Sequence, residues 1–224
     1  MEKDNFLTIS DSVMSQIRHD ILCGKFESGQ KLLLNQLKEL YHVGGTPLRE
    51  ALIQLSWQNY IIMKPQKGFS VAETSLDELK GILKTRIILE QEALKSAMLN
   101  GDDSWEFNVL SSYHQLRKLK LNSSNFDYDE WEIKHKTFHL SLIEYQHPDF
   151  LVQTISQIYD QQERYRHFIL NSEFTQGDQY HDCNEHENLL NSVLNRDVEK
   201  ACTLLRKHTE RLYDLIKHTP LLKV

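Results

Sequence analysis

The spacing of apolar residues changes near residue 75, and this change limits the possible folds more than any other feature of the sequence. Before it, apolar residues fall in short stretches separated by glycines. After it, they recur at helical intervals through long segments with almost no glycine or proline. A chain of 224 residues is long enough for two domains. We therefore predict a mainly α-helical protein with domains at 1–73 and 79–224, joined by a linker at 74–78.

The sequence lacks the apolar segments that membrane insertion or secretion requires. No uninterrupted apolar stretch is longer than four residues, as in Tyr60–Met63, and neither a membrane helix nor a signal-peptide core fits this pattern. The three cysteines are an odd number without paired spacing, which favours a reducing compartment. We expect a cytoplasmic protein with no membrane partner.

Three short helices are predicted in the first domain, over 11–23, 36–42 and 47–58. Thr46 is a good N-cap for the third helix, and Pro47 suits the first helical position. The inward faces of the three helices are formed by Val13, Ile17 and Ile21, by Leu37 and Leu40, and by Leu48, Ala51, Leu52 and Leu55.

The third predicted helix leaves Arg49 and the free amides of its N-terminus pointing outward, as a recognition helix requires for phosphates and base edges. Two short strands are predicted at 61–64 and 69–72, and the turn between them, at 65–68, carries Lys67 and Gly68 at its tip. Such a hairpin is a wing that can approach the DNA backbone or minor groove. The net charge of −6 gives no general support for a nucleic-acid partner, but residues 31–72 carry five basic and two acidic side chains.

Three segments of the first domain form a specific pattern: Gln16–Gly24, Gly29–Leu32 and the heptapeptide TPLREAL at Thr46–Leu52. This pattern resembles the winged helix-turn-helix of the GntR family of bacterial transcription regulators. The resemblance implies binding to a short inverted repeat in double-stranded DNA, and hence association with the nucleoid. The DNA contacts that we assign are Asn35, Gln36, Thr46, Arg49, Lys67 and Gly68.

Gly44 and Gly45 depart from this pattern. Many GntR relatives have Ser-Arg at these positions, so the chain lacks one arginine that usually contacts DNA. The two glycines allow a tight turn between the second and third helices.

The second domain is predicted to be an antiparallel helical bundle. Its helices are predicted over 76–99, 104–120, 128–146, 149–171, 183–195 and 197–217, with loops at 122–125 and 175–178.

Four histidines fall on the inward faces of these helices. His135 and His139 are four residues apart on one helix, and His186 and His208 follow on two later helices. Burying each imidazole singly is costly because both ring nitrogens need partners, whereas together they can bind a divalent metal. The alternative is that each one is a core histidine with its own hydrogen-bond partners.

The motifs Phe138-His139 and Glu185-His186, followed by His208, resemble the FCD ligand-binding domain of the FadR subgroup of GntR regulators. In that domain D-x-x-x-H and two later histidines hold a metal, and small carboxylates bind over it. His135 stands where most relatives have aspartate, a change that favours zinc or nickel over hard cations or marks the loss of the metal. Together with Trp131-Glu132 and the segment Arg164–Arg166, the motifs are most similar to the carbon-starvation-induced regulators called CsiR, which respond to dicarboxylates such as glutarate.

Three arginines of the second domain are candidate effector contacts: Arg86, Arg164 and Arg166. A guanidinium binds a carboxylate through two parallel hydrogen bonds, as a small dicarboxylate effector requires. Arg86 and Glu90 interrupt an apolar helix face, so an internal ion pair between them is the alternative.

Together these observations predict a homodimeric transcription regulator, and the resemblance suggests a repressor released by its ligand. A metal-sensing regulator is the nearest alternative, but a metal sensor does not need the arginines. A metal-dependent hydrolase is a further alternative. His135–His139 lacks the glutamate of H-E-x-x-H, and the sequence contains no nucleophile elbow or phosphate loop, so we predict that the protein is not an enzyme.

Overall fold

The computed structural model of the chain describes residues 8–119, 126–145, 150–170 and 183–217. The chain divides into two compact units, Met1–Thr74 and Ser75–Val224. No helix formed by the described residues is long and apolar enough to cross a membrane.

The described part of the first unit, residues 8–74, forms three helices and a three-stranded antiparallel sheet of strand order β1-β3-β2. Lys64 of β2 pairs with Gly68 of β3, so these two strands form the predicted wing. The two-residue strand β1 was not predicted, because it is too short to show an alternating pattern. The elements are α1 (Ile9–Leu22), β1 (Lys31–Leu32), α2 (Leu34–Tyr41), α3 (Gly45–Trp57), β2 (Ile61–Lys64) and β3 (Gly68–Val71).

The core of the first unit confirms the predicted inward faces of α1 and α3. Their predicted apolar residues are all buried, and Leu37 of α2 is buried with them. The prediction for Leu40 is wrong, since this side chain is 44% exposed.

The helix ends in this unit differ from the prediction. α1 begins two residues early because Thr8 and Asp11 form a capping box. α3 begins at Gly45 with Gly44 as N-cap, so the prediction that Thr46 caps this helix is wrong. In the turn before α3 the left-handed residue is His42, with φ 53°, whereas Gly44 has φ −68°.

The second unit is a helical bundle, as predicted. Asp102, Asp127 and Asp197 each cap a helix by accepting a backbone N–H three residues later. The helices are α4 (Leu76–Asn100), α5 (Asp103–Arg117), α6 (Tyr128–Ser141), α7 (Phe150–Leu170), α8 (Cys183–Leu194) and α9 (Val198–Ile216).

The linker predicted at 74–78 overlaps the start of α4. Ser75 caps α4 through Glu78 N–H, so Leu76–Glu78 form the first turn of α4. The helix start predicted at residue 76 is confirmed, and the predicted linker extends too far into the helix. The loops predicted at 122–125 and 175–178 lie outside the described residues.

Gly101 joins α4 to α5 at a point of close packing. A Cβ atom there would lie 2.4 Å from Trp105 Cε3 and 2.6 Å from the Ala97 carbonyl oxygen. Trp105 is buried and the carbonyl is backbone, so neither can move away easily. We expect Gly101→Ala to lower the free energy of unfolding by about 1–3 kcal/mol, measured by denaturant titration.

Gly81 provides a matched control for this substitution. It lies in the exposed interior of α4, and a Cβ there meets nothing within 4 Å. Gly81→Ala is expected to raise the free energy of unfolding by about 0.5–1 kcal/mol. Equal effects of the two substitutions would contradict the packing described at Gly101.

Candidate DNA interface and histidine cluster

The exposed surface of the first unit carries every residue that we assigned to DNA contact. Asn35 and Gln36 are exposed at the start of α2, and Thr46 and Arg49 are exposed in the first turn and a half of α3. Gly44 caps α3 without any side-chain hydrogen bond. The first amides of α3 are therefore available to an anion such as a backbone phosphate.

The wing adds a second exposed basic segment. Lys64 and Lys67 are exposed, and Gln66 and Gly68 have φ values of 60° and 82°. A Cβ at Gly68 would meet nothing within 4 Å, so glycine is needed here for its backbone conformation and not for space.

The structure brings His135, His139, His186 and His208 together in the second unit. One ring nitrogen from each lies within 4.8 Å of the corresponding atom of the other three. His135 Nε2 lies 3.0 Å from His186 Nε2 and 3.2 Å from His139 Nε2. The sequence-based prediction that these four side chains share one place is confirmed, and the metal remains a prediction.

Neighbouring groups orient two of these imidazoles. Tyr159 Oη and His135 Nδ1 share a hydrogen bond, and the Trp131 ring stacks on His135 at 4.4 Å between centroids. His208 Nδ1 lies 2.9 Å from Glu185 Oε2, so its Nε2 is the nitrogen left to face the cluster. A polar partner on the outer nitrogen is the usual way in which a protein fixes the tautomer and orientation of a metal-binding histidine.

The surroundings keep the buried imidazoles neutral. Burial is the main cause that lowers the pKa of His135 and His139 well below the usual range. Neighbouring histidines and Arg166 lower both further, and Arg86 also lowers the pKa of His139. Burial raises the pKa of Glu185, but its interactions with His208 and Arg211 outweigh burial and hold that pKa below its usual value. A neutral imidazole has the free lone pair that binds a metal ion.

Two predicted effector residues, Arg86 and Arg166, are buried beside the cluster. Their guanidinium carbons lie 4.3 and 4.2 Å from the centre of the Tyr159 ring, whose hydroxyl contacts His135. Both donate to the same Gln162 Oε1 atom. The polar contacts of the cluster therefore continue through Tyr159 to both arginines.

Each of these arginines has an acidic partner. Arg166 binds both oxygens of Glu132, with a distance of 3.0 Å from Nε to Oε2. Arg86 Nε lies 2.9 Å from Glu90 Oε1, so the internal pair considered as the alternative is present. The two groups form an ion pair, but the Arg86 N–H does not point at the Glu90 oxygen well enough to make a hydrogen bond.

Arg164 is placed differently from its prediction. Its Nη2 atom lies 3.4 Å from Glu78 Oε1, in the first turn of α4, where Tyr165 also binds Glu78. Its charge is thus directed at the start of α4, because Arg164 and Arg166 leave α7 in different directions. The role of Arg164 as an effector contact stays a prediction.

Sequence reasoning missed the roles of Tyr159, Glu132 and Glu185. Glu132 lies three residues before His135 and seven before His139, on the same helical face, and this spacing was a usable signal. Tyr159 follows the buried Ile155 by four residues on α7 and so reads as one more core residue, and its hydroxyl gave no comparable signal. Glu185 precedes His186 in the sequence but contacts His208, which only the packing of α8 against α9 determines.

The fold and the exposed recognition helix define a winged-helix DNA-binding protein with a helical second domain, and comparisons with known proteins identify its family. A model of the gntR family of bacterial regulatory proteins matches residues 9–71, and a model of the FCD domain matches residues 81–211. The HTH-type transcriptional regulator BphR of Paraburkholderia xenovorans is 34% identical, over 98% of this chain and 89% of BphR. The chain belongs to the GntR family of transcription regulators and carries an FCD domain.

A second relative supports this assignment, and a solved structure shows the same fold. The HTH-type transcriptional repressor GlaR of Escherichia coli is 33% identical, over 86% of this chain and 88% of GlaR. The solved structure of E. coli McbR/YncC has the same fold, with a TM-score of 0.71 at 20% identity, over 95% of this chain and 99% of that one. The protein is thus a DNA-binding transcription regulator with an effector-binding domain, and the prediction that it is not an enzyme is confirmed by its family.

Proposed function

We propose that this regulator is a homodimeric repressor whose operator binding is controlled by a small carboxylate, in particular a dicarboxylate, bound at a metal site in the second unit. The observation that carries this proposal is the convergence of four histidines beside two buried arginines. GlaR, a relative at 33% identity, is itself called a repressor.

The four histidines fit a divalent transition metal. Tetrahedral zinc with Zn–N bonds of about 2.0–2.1 Å needs ligand nitrogens roughly 3.3 Å apart, and the cluster has pairs at 3.0 and 3.2 Å. A set of neutral nitrogen donors favours zinc, with nickel as the alternative, over calcium or magnesium. The proposed ligands are His139, His186 and His208, with His135 as the fourth.

When bound, the metal would accept a carboxylate oxygen as a fifth ligand beyond the four histidines, while the chain itself holds the rest of the effector. Arg86 and Arg166 converge on Gln162 beside the Tyr159 ring. A second carboxylate of the effector binds there, and the ligand then ties α4, α6 and α7 together.

Operator control requires that the effector bind one dimer arrangement better than the other. A ~100-fold change in operator affinity corresponds to about 2.7 kcal/mol of coupling between the two sites. One winged domain buries too little surface to be specific, so two copies on an inverted repeat supply the needed contacts.

A thermal-shift screen tests this function directly. Untagged protein is mixed with succinate or glutarate, each with zinc and with a chelator. A ligand that binds only the native state at about 100 times its dissociation constant is expected to raise the melting temperature by roughly 5–10 °C. Stabilisation by zinc alone, with no further effect of any carboxylate, would support a metal sensor and refute the effector proposal.

Arg86→Met is expected to weaken effector binding by at least tenfold, because the variant loses the charge-assisted hydrogen bonds of the guanidinium. Binding of ligand-free protein to the operator is expected to change little. Titration calorimetry with the dicarboxylate found in the screen measures the first effect. Lys84→Met, an exposed change on the same helix, is the control. Equal affinity in Arg86→Met and wild type would remove Arg86 from the site.

A further inference from the structure

Several buried polar atoms beside the histidine cluster have no hydrogen-bond partner within the described part of the chain. They are Arg86 Nη2, Gln162 Nε2 and both carboxylate oxygens of Glu90. The three residues are 3%, 0% and 1% exposed. A buried polar group without a partner is costly, so a cluster of such groups marks a place where a polar molecule binds.

The unpartnered atoms differ in kind. Arg86 and Gln162 offer hydrogen-bond donors, and Glu90 offers only acceptors while it is ionised. A plain carboxylate satisfies the donors but has no hydrogen to give to Glu90. Its negative charge would also lie close to the Glu90 carboxylate, which is unfavourable in a buried site. A ligand that satisfies the whole set therefore needs a donor as well as an acceptor.

The charges of the site lead to the same requirement. Arg166 is held by Glu132 through two contacts, whereas Arg86 and Glu90 form an ion pair without a hydrogen bond. The second pair is thus neutral overall but has unused hydrogen-bonding capacity on both partners. A group that accepts from Arg86 and donates to Glu90 fits this pair.

We infer that Glu90 accepts a hydrogen bond from a hydroxyl or ammonium group that the effector carries beside its carboxylate. The inference rests on the proposed function, since it concerns the same site. It makes Glu90 a specificity-determining residue: the preferred effector is a hydroxy- or amino-substituted carboxylate, and the unsubstituted acid of equal length binds more weakly.

Matched ligands test this inference on the unmodified, zinc-loaded protein. The four-carbon set is succinate, malate and aspartate, and the five-carbon set is glutarate, 2-hydroxyglutarate and glutamate, with both enantiomers of each chiral acid. Calorimetry is expected to show that at least one substituted acid binds roughly tenfold or more tightly than its parent, as one hydrogen bond to a charged group provides. Tighter binding of the hydroxy acid identifies the donor as a hydroxyl, and tighter binding of the amino acid identifies it as an ammonium group.

Glu90→Gln separates a specificity role from a structural one. The neutral amide in this variant is a weaker acceptor than the carboxylate and no longer neutralises Arg86, so the substituted acid is expected to lose affinity while the parent acid binds equally or more tightly. The preference of roughly tenfold is expected to shrink to about twofold. A merely structural role would weaken both ligands equally. Glu92→Gln, exposed on the same helix, is expected to keep the wild-type preference.

The outcomes distinguish this inference from the proposed function. If no acid of either set binds with or without zinc, the proposed function fails. If the parent acids bind as tightly as every substituted form, the effector site stands and the role of Glu90 is refuted, with water as the partner of its oxygens. The ligand series decides this point even if Glu90→Gln does not fold.

Discussion

Replacement of both His186 and His208 by alanine is expected to leave the protein without bound metal and without a response to its effector. The double substitution removes two of the four nitrogens that lie within 4.8 Å of one another. Because even the loss of an outer hydrogen-bond partner weakens a metal site by roughly 10–100-fold, the loss of two ligands is expected to exceed that range. Elemental analysis of untagged protein is expected to give about one metal per wild-type chain and none in the variant.

The effect of a chelator on stability provides a second measurement of the same prediction. A metal that binds only the native state stabilises it, so a chelator is expected to lower the melting temperature of the wild type and not of the variant. Alanine at His19 and His114, two exposed histidines outside the cluster, controls for the loss of histidine in general. Metal-free wild-type protein with a full effector response would refute the metal site.

Arg49→Ala is expected to abolish specific operator binding and leave the fold intact. Arg49 is exposed in α3 at the face where we predict contact with base edges, and a good bidentate contact from arginine to a base discriminates by about 1–3 kcal/mol. Two copies in a dimer double this loss, so we expect a reduction of roughly 100-fold or more. Fluorescence anisotropy with the inverted repeat that wild-type protein selects from random DNA measures it.

Arg49→Lys is the matched control, because it keeps the charge but cannot reproduce the planar two-donor geometry. This variant is expected to retain salt-dependent binding to unrelated DNA without recovering specific binding. Circular dichroism of both variants checks the fold. Unchanged operator affinity in Arg49→Ala would contradict the assignment of α3 as the recognition helix.

The predictions from sequence were most successful where a single helix face determined the outcome. The stripe of Leu48, Ala51, Leu52 and Leu55 is buried as predicted, because periodicity of 3.6 residues alone decides which side chains share a face. The convergence of the histidines was also predictable, since each one lies on such a face. Leu40 was wrongly predicted to be buried. Because α2 is only eight residues long, one buried leucine, Leu37, is enough to pack it against the core.

Features that depend on contacts between distant segments were not predictable in the same way. Arg166 on α7 pairs with Glu132 on α6, a residue 34 positions away in the sequence, and the sequence alone left the partner of Arg166 undetermined. The contact of Arg164 with Glu78 was not predictable for the same reason. Arg164 and Arg166 have similar sequence surroundings, and only the packing of α7 against α4 distinguishes them.

Helices α4 and α7 are connected at two levels, through Arg86 and Gln162 beside the cluster and through Glu78 with Arg164 and Tyr165 at the first turn of α4. Between these two levels α4 is a continuous helix, so the distance between them is fixed by its backbone hydrogen bonds. The two helices therefore resist sliding past one another, and we expect them to shift as one rigid pair. A displacement of Arg86 by a bound molecule would then appear undiminished at Ser75, where the second unit begins.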